Sequence, residues 1–185
     1  NRITAGKSTV AVRVPNHPIA LQLLKSLNFP LAAPSANPFG SLSPTSAEHV
    51  ALYFKEEINF ILDGGPCFCG LESTIIGFEN DKPILYRHGA ISIEEIEKII
   101  GPIKIKNQNS KNPSAPGMLS RHYAPKTQIQ INEDISLALA QNPDKKIGVL
   151  SFRKNKKIKT EIHQEVLSIS GDLNEASKNL YAALH

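Results

Sequence analysis

Three short polar side chains, Ser35, Asn37 and Ser43, fall inside one run from Pro34 to Pro44 that is too rich in Pro, Ser, Asn and Gly for regular structure. Neutral donors and acceptors on such a shaped loop could cradle a phosphate or a carboxylate. The loop leads into Thr45-Ser46-Ala47-Glu48, a capping-box pattern. It therefore discharges into a helix N-terminus, where backbone N–H groups attract anions. Polar loops also satisfy their own backbone, and this segment alone leaves both readings open.

A second polar cluster, Gly70-Leu71-Glu72-Ser73-Thr74, stands at the start of one expected strand, and Arg87-His88-Gly89 follows the end of the next. A hairpin would bring Ser73 and Arg87 together, with Arg87 suited to a charge-assisted contact with an anion. Glu72 could pair with Arg87 instead. His17, His49, His88 and His122 share no metal-ligand spacing, and no Ser-His-Asp or Cys-His pattern stands out. Neither a metal site nor a covalent nucleophile is assigned, and His163 and His185 read as surface residues.

These residues need elements to hold them. Thr9 to Val14 alternates with period two, placing three valines on one strand face and Arg13 on the other. Pro18 suits a first helical turn, and Ile19, Leu23 and Leu27 form a stripe up to Asn28. Leu31 to Ala33 and Phe60 to Leu62 read as short strands, the latter ending at Asp63-Gly64-Gly65-Pro66. Ser73 to Phe78 and Pro83 to Tyr86 read as a hairpin, and Ser92-Ile93-Glu94-Glu95 caps a helix that stops at Gly101-Pro102. From Ile103 to Lys126 no period is visible, which reads as a long linker. Beyond it the order is strand (127–131), helix (135–141), strand (147–152), strand (166–168) and a helix from Asp172, the opening of an α/β domain.

The chain has 185 residues, 41% of them hydrophobic, which allows one large domain or one and a half smaller ones. No run is apolar and long enough to span a membrane, and Asn1 to Thr4 lacks the features of a signal peptide. Cys67 and Cys69, spaced too closely for an ordinary disulfide framework, fit a reducing cytoplasm. Net charge is only +4, yet Lys104 to Lys126 carries lysines and Arg121 without one acidic residue. That fits an anionic partner or a solvated basic loop. The run from Arg153 to Lys159 reads as a solvated loop. Both ends of the chain read as cut, since the first residue is not Met and the last helix is still in progress at His185.

Taken in order, Thr9-Val-Ala-Val-Arg13-Val-Pro-Asn-His-Pro18, Ala33-Pro-Ser35-Ala-Asn37, Ser43-Pro-Thr45, Gly70-Leu-Glu-Ser73-Thr-Ile, Arg87-His-Gly89-Ala, Ser114-Ala-Pro-Gly-Met118 and Arg121-His-Tyr123-Ala-Pro125 resemble the two-domain threonylcarbamoyl-AMP synthases. The resemblance implies the C-terminal part of a YrdC-type twisted mixed-sheet domain (1–102), a linker or lid (103–126) and the start of a Rossmann-like α/β domain (127–185). It implies a reaction in which L-threonine and bicarbonate form a carbamate that attacks the α-phosphorus of ATP, with Mg²⁺ accompanying the nucleotide. The product would serve threonylcarbamoylation of tRNA in the cytoplasm. By the same resemblance Arg13, Ala33 and Ser73 would line a threonine pocket. Thr9, Ser35, Ser43, Arg87 and Tyr123 would contact ATP, and Ser35 and Asn37 would belong to the catalytic group. It also implies that the N-terminal half of the catalytic domain, with a Lys and an Arg of that group, lies outside this chain, which alone is expected to be inactive. Two other readings remain: an RNA- or tRNA-binding module of the same fold, and a small-molecule domain built on the C-terminal unit.

Overall fold

The computed structural model describes residues 3–4, 6, 8–106 and 124–185. The best-formed part grows from one hairpin. Strands β1 (Ile75–Glu79) and β2 (Lys82–Arg87) pair antiparallel around Asn80 and Asp81, whose φ angles of 49° and 59° make the two-residue turn that matches strand twist. The register slips between Ile75 and Ile76, leaving Tyr86 as an extra residue on β2. A Cβ at Gly77 would run into the Tyr86 ring, so the glycine makes room for it.

Helix α1 (Pro18–Lys25) begins at the expected proline, and α2 (Ala47–Phe54) follows the polar loop. Its N-cap is Ser46, which accepts from the His49 amide, rather than Thr45, so the expected capping pattern is displaced by one residue. Helix α3 (Ile93–Ile100) starts on a complete Ser92/Glu95 capping box, as its sequence predicts. It crosses to β3 (Lys104–Ile105), which lies parallel to β2 and makes a three-stranded mixed sheet ordered β1-β2-β3. The small core forms there: Leu85, Ile96 and Ile103 are buried together with Ile93 packed against them. Residues 104–105, expected within the linker, thus form a strand of the sheet. The cause is local: Ile103 fills the core and the Lys106 amide donates to the Leu85 carbonyl.

In the C-terminal part, α4 (Ile135–Ala140) is capped by Asp134, and β4 (Val149–Ser151) pairs in parallel with β5 (Gln164–Val166). The pairing runs on past β5, where the Leu167 and Ser168 amides donate to the Ser151 and Phe152 carbonyls. Helix α5 (Leu173–Leu184) closes the chain. Its cap is a polar knot: fully buried Ser168 donates to Glu175 at 2.5 Å and accepts from the Gly171 and Asp172 amides, while Asp172 accepts from the Glu175 amide. On α5 Ala176 is buried, but Leu173 is exposed.

Four segments expected as strands, 9–14, 31–33, 60–62 and 127–131, are not strands in the structure. Alternation gives a segment two faces but no partner for its backbone, and a ladder needs one. Val12 and Val14, 83% and 80% exposed, show the consequence. The architecture is therefore mixed α/β, with two small sheets among the described residues.

Candidate functional site

The strand-entry segment 70–74 and the segment after β2 lie zipped together. The Ala90 amide donates to the Glu72 carbonyl at 2.9 Å, and Thr74 Oγ1 donates to the Ile91 carbonyl at 2.7 Å while accepting from the Ile91 amide at 3.1 Å. A Cβ on Gly89 would collide with the backbone of 72–74, so glycine there permits the approach. The zipped segments hold Arg87 against Ser73: its Nε and Nη2 donate to the Ser73 carbonyl at 3.1 and 2.9 Å, and Nη2 also reaches Ser73 Oγ at 3.3 Å. Arg87 thus lies beside Ser73 and also pairs with Glu72, whose Oε2 lies 3.5 Å from Arg87 Nη2. The other Glu72 oxygen accepts the Ser43 hydroxyl. Glu72 thus joins the polar loop to the hairpin, so Ser43, Arg87 and Ser73 form one connected group.

The loop that carries Ser43 is held from behind by three rings. Tyr53 Oη donates to the Leu42 carbonyl at 3.0 Å, His185 Nε2 lies 3.1 Å from the Ser43 carbonyl, and the Thr45 amide donates to His49 Nδ1 at 3.2 Å. The His49 and His185 rings stack with centroids 3.9 Å apart, and Tyr53 meets His185 edge-on at 5.4 Å. Burial, and after it the neighbouring His185, holds the His49 imidazole below its ordinary value, with Glu48 acting the other way. A neutral ring is what an accepting Nδ1 requires. Ser43 and Thr45 are buried.

Asn37 folds back on its own loop, its amide group donating to the Pro38 and Ser41 carbonyls at 3.0 and 3.1 Å. Its Oδ1 is buried and finds no donor among the described residues. Thr9, Arg13, Ala33 and Ser35 are exposed, and none of them joins the Glu72 group. Segment 9–17 is anchored at its end, where His17 Nε2 lies 3.2 Å from the Gly64 carbonyl. Tyr123 lies outside the described residues. Cys67 and Cys69 are exposed free thiols.

Sequence reasoning missed His185, read as a surface residue, and gave no role to His49 or Tyr53. His49 had a signal: it follows Thr45 by four residues across the start of a helix, a spacing that turns a side chain back onto the loop. Nothing near His185 in the sequence marks its partner.

The mixed three-stranded sheet and the parallel β4–β5 pair, with the site between loop and hairpin, set the chain in the α/β class of the solved Sua5 structures. Over 98% of this chain, and 56% of the other, the fold matches a crystal structure of Pyrococcus abyssi Sua5 complexed with L-threonine, with a TM-score of 0.85 and 36% sequence identity. Residues 1–89 match the Sua5/YciO/YrdC family profile, described as "Telomere recombination", and residues 91–185 match the profile "Threonylcarbamoyl-AMP synthase, C-terminal domain". The chain belongs to the threonylcarbamoyl-AMP synthase family. A threonylcarbamoyl-AMP synthase of Bacillus subtilis is 39% identical over 99% of this chain and 56% of its own length. One from Pyrococcus abyssi is 39% identical over 98% and 56%. The chain therefore spans about half the length of the curated relatives it matches.

Proposed function

We propose that this chain belongs to an enzyme that makes L-threonylcarbamoyladenylate from L-threonine, bicarbonate and ATP. The observation that carries the reading is the Glu72 bridge, which joins Ser43, expected at ATP, to Arg87 and Ser73, expected at ATP and at threonine. The threonine-bound relative of the same fold supports it. In the reaction the threonine amine attacks the bicarbonate carbon, water leaves, and the carbamate oxygen then attacks the α-phosphorus as pyrophosphate departs. Positioning and charge neutralisation suffice for that chemistry, and no covalent nucleophile is needed.

On this reading Thr9, Ser35, Ser43, Arg87 and Tyr123 hold ATP, whose Mg²⁺ arrives with it as part of the substrate. Arg13, Ala33 and Ser73 line the threonine pocket, with Arg13 on the carboxylate. Ser35 and Asn37 act at the reacting carbamate, the buried Asn37 Oδ1 being an acceptor still open to a donor. Glu72 pairs with Arg87, so the triphosphate competes with a carboxylate for the guanidinium. Residues 1–102 with strand β3 form the catalytic part, the segment that follows up to 126 is a lid over the nucleotide, and 127–185 form a Rossmann-like unit. The protein works in the cytoplasm, upstream of tRNA modification.

The test is threonine-dependent pyrophosphate release from ATP and bicarbonate, measured on this chain and on a version extended at its N-terminus with the Bacillus subtilis relative's residues. Release by the extended chain, lost in Arg13→Ala, is expected. A folded, extended chain that binds RNA in a salt-sensitive way and releases no pyrophosphate would replace the reading with the RNA-binding one.

A further inference from the structure

Helix α5 belongs to the C-terminal part of the chain, yet it touches both segments that carry the candidate site. At its end His185 stacks on His49 and lies 3.1 Å from the Ser43 carbonyl. Near its middle the Lys178 backbone packs on Gly70, so closely that a Cβ at Gly70 would overlap the Lys178 carbonyl. The Lys178 ammonium lies 5.9 Å from the centre of the Phe68 ring. Gly70 is buried and has φ +67°, a backbone angle that side chains rarely adopt. One rigid helix thus braces the Ser43 loop and the Gly70–Thr74 segment at the same time.

We propose that α5 is a brace that fixes the Ser43 loop against the Glu72–Ser73 segment, and that His185 is a positioning residue for Ser43. The geometry supports a division of labour. The Ser43 hydroxyl faces Glu72, whereas its carbonyl faces His185. His185 therefore touches the backbone and leaves the side-chain chemistry free. His49 completes the hold by accepting from Thr45 and offering the face on which His185 stacks. The Thr45 carbonyl in turn accepts from the Cys67 amide at 2.8 Å, which ties the loop back toward Gly70. The brace gives the C-terminal part a task in the reaction: it sets the distance between residues expected at ATP and at threonine. That task rests on the synthase reading, whereas the brace itself rests on the contacts alone.

The experiment is native-state amide hydrogen exchange on this chain without nucleotide, comparing wild type, His185→Ala, His185→Gln and Gly70→Ala. The probes are the Thr45 amide, in the held loop, and the Cys67 amide, which donates to the Thr45 carbonyl. His185→Ala is expected to speed their exchange about five- to tenfold, the loss of one hydrogen bond and a ring contact. His185→Gln, which keeps a donor, is expected to recover part of that protection. Gly70→Ala, which pushes α5 away at its other contact, is expected to speed exchange at Thr45, a residue it does not touch. Unchanged exchange in His185→Ala and Gly70→Ala would overturn the brace. Equal exchange in the Ala and Gln variants would overturn His185's hydrogen-bonding role. Because no nucleotide is present, a failure of the synthase assignment leaves these outcomes readable.

Discussion

Glu72 is the residue through which the site is organised, and its neighbours set how the site should respond to change. With the Arg87 and Glu72 side chains only 11% and 20% exposed, their ion pair is partly shielded from water. Glu72→Gln keeps an acceptor for Ser43 but leaves the guanidinium without its counter-charge. ATP is therefore expected to bind the variant several-fold more tightly by calorimetry, whereas Arg87→Ala is expected to weaken ATP by about 10- to 100-fold. Equal affinities in wild type and Glu72→Gln would show that Glu72 does not compete with the nucleotide. Glu175 offers a test by pH. Hydrogen bonds from Ser168 and Ser170 lower its carboxyl from the ordinary 4.5 to about 2. A depressed value in the folded state means stability that is complete above the ordinary value and lost as pH falls toward the depressed one. Glu175→Gln is accordingly expected to melt below wild type at neutral pH, with the gap closing between about pH 4.5 and pH 2. A constant gap would place the stabilisation elsewhere. Residue types were legible where chemistry was local: Ser43, Ser73 and Arg87 were candidates from the sequence and are joined through Glu72. His185 was not, since the carbonyl it meets lies 142 residues away in the sequence.

Local grammar decided which elements could be read. The hairpin turn, the Ser92/Glu95 box and the Pro18 start each need only a few adjacent residues, and each lies where the sequence puts it. Strands 9–14, 31–33 and 60–62 had the right alternation or apolarity but depend on partners that no local pattern supplies, and β3 was overlooked because two residues carry no period. Two substitutions test the local part. Ser92→Ala removes the half of the capping box in which the Ser92 hydroxyl accepts from the Glu95 amide, leaves the residue-92 amide on the Glu95 carboxylate, and is expected to cost about 1 kcal/mol in denaturant unfolding. Asp81→Gly relieves a side chain held at φ 59° and is expected to stabilise the hairpin by roughly 0.5–1 kcal/mol. A loss of stability instead would mean that the Asp81 side chain supports the turn.

Across the whole chain, burial is thin. The accessible surface is 14795 Å² for a mass of 20.2 kDa, against roughly 8,800 Å² for a compact monomer of that mass. Much of the excess is apolar: Val10, Val12, Val14, Phe60 and Leu62 are all more than half exposed. Such a surface is expected to bind a hydrophobic dye at neutral pH and to drive concentration-dependent association. Val12→Lys with Val14→Lys is expected to reduce association in sedimentation without changing helical circular dichroism. Persistence of association would shift attention to the Phe60–Leu62 segment.

The contact between Gly70 and α5 distributes its demands unevenly between two distant stretches of chain. On one side any side chain would overlap the helix backbone; on the other only the backbone of residue 178 is used, and the lysine side chain points to Phe68. Position 70 is thus closed to drift while position 178 can wander among helix-compatible residues. The interface is written into one of its two sequences only, and covariation between those positions would fail to reveal it.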